Sequence, residues 1–120
     1  MTILNFLLIL VNTIILVSGQ FLWKMGVMQR EASFQSIQDI LSLFLSPYIL
    51  SGLSLYGAAT VLWLFILTKV PLSIAYPIQS LAYVFAVFGA HFFFHEPLTA
   101  AKIVGVLFIM LGVSFIGFSA

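Results

Sequence analysis

The sequence predicts an all-α integral membrane protein, with four antiparallel transmembrane helices in a single domain over residues 1–120. Only 6% of the 120 residues are charged, whereas about 25% is usual for a soluble domain. The charges separate four uncharged runs, at residues 1–23, 40–68, 70–95 and 103–120. Each run is close to or above the roughly 20 apolar residues that cross a bilayer. Because lipid cannot hydrogen-bond the backbone, these runs are expected to be helices.

Local sequence signals place the ends of the helices. The helices are expected at about residues 3–28, 47–68, 71–95 and 100–119. The first run lacks a positively charged start and is too long for the core of a signal peptide, so it is expected to be a retained transmembrane helix. Ser46-Pro47 is typical of a helix start, Pro71 can start the third helix, and Thr99 can cap the fourth. Short second and third connections make neighbouring helices antiparallel.

The first connection, residues 29–46, is longer and allows two interpretations. Phe34, Ile37, Leu41 and Phe44 recur at spacings of three and four, which indicates a short amphipathic helix at the membrane surface. The alternative is that the second transmembrane helix starts early.

The basic residues specify the orientation only weakly. Lys24, Arg30 and Lys102 lie on one side of the predicted membrane, and Lys69 lies on the other with both termini. The excess of positive charge favours a cytoplasmic position for the first and third connections. The free amino terminus reduces this difference, so both orientations stay open.

Three of the predicted helices carry polar or aromatic residues on one face. These residues are Asn5, Asn12, Thr13, Gln20 and Lys24 in the first helix, Gly52, Tyr56, Ala59, Thr60 and Trp63 in the second, and Ser73, Tyr76, Gln79, Ser80 and Tyr83 in the third. A helix that faced only lipid would have no use for such groups. Facing one another, the three faces would line a substrate chamber; alternatively, they would hold the helices together by hydrogen bonds.

The chamber hypothesis assigns substrate binding to six side chains. They are Gln20, Lys24, Trp63, Tyr76, Gln79 and Tyr83. Lys24 would hold an anionic headgroup one turn from Gln20, or would extend to the lipid headgroups without binding substrate.

Two further features concern movement and assembly. Pro77 removes a backbone hydrogen bond within the third helix, which is typical of either a hinge or a static kink. Ala101, Gly105 and Gly112 give the fourth helix a face of small residues, and such faces favour packing between helices of an oligomer.

Several classes of function lack support in the sequence. There is no cysteine, and the net charge of +1 does not suggest a nucleic-acid partner. His91 and His95 are four residues apart, but no third ligand is evident nearby, so no metal site is expected. No catalytic set or nucleotide motif is present, so we expect neither an enzyme nor a cofactor.

The second half of the chain resembles a known transporter superfamily. The stretch from Val70 to Tyr76 is similar to the start of the third helix in the small multidrug resistance and EamA branches of the drug/metabolite transporters. The stretch from His95 to Thr99, followed by Gly105 and residues 111–113, resembles the last two helices of an EamA repeat. The resemblance implies a four-helix half-repeat of this type.

The first predicted helix and two later stretches resemble one subfamily, whose members are flippase subunits for a polyprenyl-phosphate-linked sugar. Gly19-Gln20 and Lys24 carry this resemblance, together with residues 61–64 and 75–77. Small multidrug exporters have a glutamate three residues before the glycine that matches Gly19, and that position is Leu16 here. Their tryptophan three residues after the tyrosine that matches Tyr76 is Gln79. These departures argue against proton-coupled export of aromatic cations.

Taken with the resemblance, the chamber predicts a flippase subunit of the cell inner membrane. Its cargo would be a polyprenyl-phosphate-linked sugar or a similar amphipathic anion, moved between leaflets. The partners would be membrane lipid and a second subunit, in a homodimer or in a heterodimer with a homologous chain. The alternatives are an exporter of cations, polyamines or small metabolites, and a non-transporting scaffold subunit.

Overall fold

The computed structural model describes residues 2–29 and 34–119 and contains six helices within them. They are α1 (Ile3–Gln29), α2 (Ile37–Leu43), α3 (Pro47–Leu67), α4 (Leu72–Gln79), α5 (Leu81–Phe94) and α6 (Ala100–Phe118). The α4 and α5 helices follow one another with a break at one residue and together make one span. With α1, α3 and α6, they give four helical segments long and apolar enough to cross a membrane. The predicted all-α, four-span fold is confirmed.

The first connection contains a helix of its own, α2, which is separate from α3. Ser36 caps α2, because its hydroxyl accepts a hydrogen bond from the Asp39 amide at 3.2 Å. Ile37, Leu41 and Phe44 are exposed, so the apolar side of this segment does not pack into the helical bundle. Arg30, which enters the orientation argument, lies outside the described residues.

The helix ends follow the expected chemistry at some positions and depart from it at others. Thr99 accepts a hydrogen bond from the Lys102 amide at 3.2 Å, which confirms the predicted cap of α6. Ser46 precedes Pro47 at the start of α3, but its buried hydroxyl makes no capping bond. His95 ends α5 in the left-handed conformation, with φ 57° and ψ 30°.

The residues after α5 are held by a compact turn. The Glu96 amide donates a hydrogen bond to the Ala90 carbonyl at 3.2 Å. The His91 ring contacts the Glu96 carbonyl through Nδ1 at 2.9 Å. His91 therefore has a local structural role at the end of this helix.

The most extensive helix contact joins α1 to α3 and includes two glycines. A Cβ atom added to Gly52 would lie 3.0 Å from the Gly19 carbonyl oxygen and 2.5 Å from the Trp23 ring. A Cβ atom on Gly19 would lie 2.9 Å from the Tyr56 ring. Small residues allow backbones to approach this closely, so α1 and α3 form the central pair of the fold.

The third span bends near its middle. Pro77 has no amide hydrogen, so it cannot bond back to the preceding turn. Ser80, three residues later, ends α4 and starts α5, and its hydroxyl hydrogen-bonds the Pro77 carbonyl. The sequence predicts one continuous helix over 71–95, whereas the structure divides it at Ser80. The Ser80 hydroxyl donates to the Pro77 carbonyl, and this bond competes with the backbone hydrogen bonds of the helix. It adds to the loss of the backbone hydrogen bond that Pro77 cannot make.

Candidate functional site

A cavity of about 510 Å³ lies between α1, α3 and the bent α4–α5 span. Its described lining residues are Leu16, Val17, Gln20, Tyr56, Tyr76, Gln79, Ser80, Ala82, Tyr83 and Ala86. The bend places the end of α4 and the start of α5 on the same cavity wall. This volume is within the range of small-molecule sites.

Four of the six predicted substrate-binding residues meet in this cavity. Gln20 comes from α1, Tyr76 and Gln79 from α4, and Tyr83 from α5. Tyr76 and Tyr83 are 65% and 64% exposed, so this side of the cavity is open at the surface of the single chain. Amide and phenol groups both donate and accept hydrogen bonds, which suits a ligand rich in hydroxyl groups.

The other two predicted residues do not line the cavity. Lys24 is exposed and follows Gln20 by one turn of α1, a rise of about 6 Å. Trp63 packs edge-on against Tyr76, with 6.2 Å between ring centroids and an interplanar angle of 76°. Trp63 therefore contacts a lining residue. Lys24 lies beyond the lining, on the same helix as Gln20.

Tyr56 lines the cavity although it is not among the six predicted binding residues. The Gln20 side-chain amide donates a hydrogen bond to the Tyr56 hydroxyl. Trp23 stacks on the Tyr56 ring at 4.4 Å between centroids and 16° between planes. The Trp23 indole N–H donates to the Ile49 carbonyl at 3.1 Å. The sequence signal for this arrangement was the pair Gly19 and Gly52. Because glycine has no side chain, the Tyr56 ring can lie against Gly19 and the Trp23 ring against Gly52.

The cavity lining carries no charge, and this is as informative as its polar groups. Every described lining residue is uncharged. Leu16, which occupies the position of the glutamate in the exporters that the chain resembles, lies directly on the wall. An apolar side chain here offers no ion pair to a cationic ligand.

The polar face of α1 divides into two parts. Gln20 reaches the cavity, whereas Asn12 and Thr13 are completely buried. The Thr13 hydroxyl donates to the Ile9 carbonyl at 2.8 Å. Neither polar atom of the Asn12 amide has a hydrogen-bond partner among the described residues. Only the second half of this face therefore contributes to the candidate site.

The small residues of α6 face away from the other helices. This helix packs on α4 and α5 and has the least buried span. Ala101, Gly105 and Gly112 are exposed. A Cβ atom added to Gly105 or Gly112 would have nothing within 4 Å among the described residues. The predicted oligomer face is thus open within the single chain.

Comparison with known families identifies the group to which the protein belongs. The EamA-like transporter family matches residues 1–118. The chain belongs to this family. It is accordingly a multi-pass membrane protein of transporter type, in agreement with the four spans and with the resemblance seen in the sequence.

Individual relatives carry more specific names. A protein of Aeromonas salmonicida (strain A449), "Probable 4-amino-4-deoxy-L-arabinose-phosphoundecaprenol flippase subunit ArnE", is 30% identical over 114 residues, covering 95% of this chain and 97% of the relative. The corresponding ArnE protein of Enterobacter sp. (strain 638) is 45% identical over 69 residues, or 58% of this chain and 64% of the relative.

A second type of subunit is also similar to this chain. A flippase subunit of Aeromonas salmonicida named ArnF is 34% identical over 117 residues, covering 94% of this chain and 78% of the relative. No solved structure gives a significant match. The relatives are named as subunits of a flippase, which is a transport function.

Proposed function

We propose that this chain is a subunit of an inner-membrane flippase that moves a polyprenyl-phosphate-linked sugar between leaflets. The observation that carries the proposal is the uncharged cavity, in which Gln20, Tyr76, Gln79 and Tyr83 come together. Their amide and hydroxyl groups can exchange hydrogen bonds with sugar hydroxyls, and the apolar faces of the rings can pack against the sugar ring. The named relatives support the same class of cargo.

Lys24 supplies the positive charge that a phosphate requires. Its side chain is exposed one turn beyond Gln20, so a phosphate at this level would leave the attached sugar near the cavity. A lysine binds phosphate as a point charge. The hydrocarbon tail stays in the bilayer, and the cavity therefore needs no proton-titrating acid. Trp63 contributes by holding the ring of Tyr76.

Transport would proceed by alternating exposure of the cavity to the two leaflets. The bend between Pro77 and Ser80 lies in the cavity wall. We assign Pro77 the role of a hinge, because the missing backbone hydrogen bond lowers the cost of changing the angle there.

The working form of the protein is a dimer with a homologous subunit or with a second copy. The exposed rings of Tyr76 and Tyr83 leave one side of the cavity open, which a second chain can close. The face formed by Ala101, Gly105 and Gly112 offers a surface for close helix contact. The naming of relatives as separate ArnE and ArnF subunits supports a heteromeric assembly.

The proposal is tested by headgroup translocation in proteoliposomes that contain a polyprenyl-phosphate-linked arabinose. Lys24→Ala and Gln20→Ala are each expected to reduce translocation about tenfold, the scale of a lost hydrogen bond to a charged group or sugar. Lys69→Ala is the matched control, because Lys69 lies at the other end of the bundle over the Phe65 ring. Unchanged translocation in the first two variants would contradict the site assignment.

Two parallel measurements separate the alternative functions. Protection of growth against quaternary ammonium compounds and polyamines would favour cation export. Binding of the lipid-linked sugar by the chain purified without partners would argue against a scaffold role. Native mass spectrometry of the purified complex reports the number of subunits and any retained lipid-linked cargo.

A further inference from the structure

The Tyr56 hydroxyl is hydrogen-bonded to the Gln20 side chain, which also lines the cavity. Gln20 donates to it through the side-chain amide, so the phenol oxygen acts as the acceptor. A phenol also carries one proton that it can donate. No hydrogen bond donated by this hydroxyl is made to any described residue, and both side chains line the cavity. The phenol proton is therefore available to a ligand there.

Trp23 holds the Tyr56 ring from the side of the α1–α3 contact. The two rings are stacked at 4.4 Å and 16°. The indole is itself fixed by its hydrogen bond to the Ile49 carbonyl at 3.1 Å. It also fills the space above Gly52, where an added Cβ atom would lie 2.5 Å from the indole ring. Two contacts thus hold the Trp23 indole in place, and its stacking on Tyr56 fixes where the Tyr56 ring lies.

We propose that Trp23 is a positioning residue for the headgroup site, which fixes Tyr56 so that its hydroxyl donates to an oxygen atom of the headgroup. The inference rests on the proposed function and adds a basis for its specificity. A hydroxyl or phosphate oxygen accepts such a hydrogen bond, whereas a quaternary ammonium group has no acceptor. The Trp23–Tyr56–Gln20 set therefore selects oxygen-bearing headgroups over cations.

The proposal is tested by a double-mutant cycle, with binding of polyprenyl-phosphate-linked arabinose to the full chain in nanodiscs as the measurement. Tyr56→Phe keeps the ring and removes the hydroxyl, and we expect it to weaken binding about fivefold. Trp23→Leu is expected to weaken binding by a similar factor. If Trp23 acts through the hydroxyl, the double variant binds about as well as Tyr56→Phe alone.

A control variant separates positioning from a general loss of stability. Ile66→Val removes one methylene from the buried cluster around Ile66, which lies ten residues from Tyr56 on α3. Its effect on binding is expected to multiply with that of Tyr56→Phe, because distant sites act independently. Trp23→Phe, which keeps a ring and loses the indole N–H, takes the place of Trp23→Leu if the leucine variant does not fold.

The outcomes distinguish the inference from the function on which it rests. If the parent protein does not bind the lipid-linked arabinose, the proposed function is wrong and the inference is wrong with it. If the parent binds, but the double variant loses about 25-fold, the product of the two single effects, the positioning role is wrong and the flippase proposal stands. Equal loss of quaternary ammonium binding in Tyr56→Phe would also overturn the selectivity.

Discussion

Replacement of Asn12 by leucine is expected to stabilise the protein, although it removes a polar residue from the middle of α1. The Asn12 side chain is 0% exposed, and its amide oxygen and nitrogen have no hydrogen-bond partner among the described residues. A buried polar group without a partner costs about 1–3 kcal/mol. Leucine has the same number and branching of side-chain heavy atoms, although a larger volume, and carries no polar atom, so Asn12→Leu removes this cost.

The expected gain is about 1–2 kcal/mol in the free energy of unfolding. The lower part of the range for a buried unpaired group applies, because the unfolded chain in a membrane also finds partners for its polar groups. The measurement is reversible unfolding in mixed dodecyl maltoside and sodium dodecyl sulfate micelles, followed by far-ultraviolet circular dichroism.

Thr13→Val provides a matched comparison at the neighbouring position. Thr13 is equally buried, but its hydroxyl already donates to the Ile9 carbonyl at 2.8 Å. Its replacement loses this bond within α1 and is expected to lower the free energy of unfolding by roughly 0.5 kcal/mol, the lower end for a single hydrogen bond. The two adjacent variants should therefore change stability in opposite directions. A loss of stability in Asn12→Leu as large as that in Thr13→Val would refute the reasoning.

Three further substitutions test contacts elsewhere in the fold. Gly52→Ala should separate α1 from α3 and red-shift tryptophan fluorescence, because the new Cβ atom would overlap the Trp23 indole ring. Gly57→Ala should leave the fluorescence unchanged, because nothing lies within 4 Å of a Cβ atom at that site among the described residues. Thr99→Ala should lower the free energy of unfolding by about 1 kcal/mol through loss of the cap, and Ser46→Ala should not, because Ser46 makes no capping bond. His95→Gly should raise the free energy of unfolding by about 1 kcal/mol, because His95 is in the left-handed conformation and glycine adopts it without strain.

Each of these predictions has a result that would contradict it. Equal spectra for the two glycine variants would show that the α1–α3 contact is looser than described. Equal stability losses for the Thr99 and Ser46 variants would mean that the Ser46 hydroxyl contributes as much as the Thr99 cap, contrary to the structure. A His95→Gly variant less stable than the parent would mean that the His95 side chain contributes more than its backbone strain costs.

The four spans could be predicted from the sequence because the membrane restricts the choices so strongly. With seven charged side chains in 120 residues, long uncharged runs leave helices as the simplest way to satisfy the backbone. Pro77 indicated an irregular third span, because proline lacks the amide hydrogen that a helix uses to bond to the preceding turn. The break at Ser80 also depends on a side-chain hydroxyl bonding to the Pro77 carbonyl, and helical periodicity does not report that choice.

The candidate site was predictable to the extent that it depends on which residues share a helix face. Gln20, Tyr76, Gln79 and Tyr83 lie on polar faces, and the structure brings them to one cavity. Tyr56 lies on such a face too, but its contact with Gln20 depends on how far α1 and α3 approach each other. Trp63 is the opposite case: it shares the polar face of its helix, but its ring packs on Tyr76 and does not line the cavity. Distances between helices decide such cases.

The contact between Gly19 and Gly52 makes the two sides of the cavity mechanically unequal. Because the backbones of α1 and α3 approach closely at these two glycines, turning either helix about its axis would bring a larger side chain into the contact. The α1–α3 pair therefore resists rearrangement more than the rest of the cavity wall. The opposite wall is the α4–α5 span, which is already divided at Ser80. Under the proposed alternating exposure, a change in the width of the cavity would therefore come from the bent α4–α5 span moving against the α1–α3 pair, and a crosslink that immobilised this span alone would trap the cavity in one state.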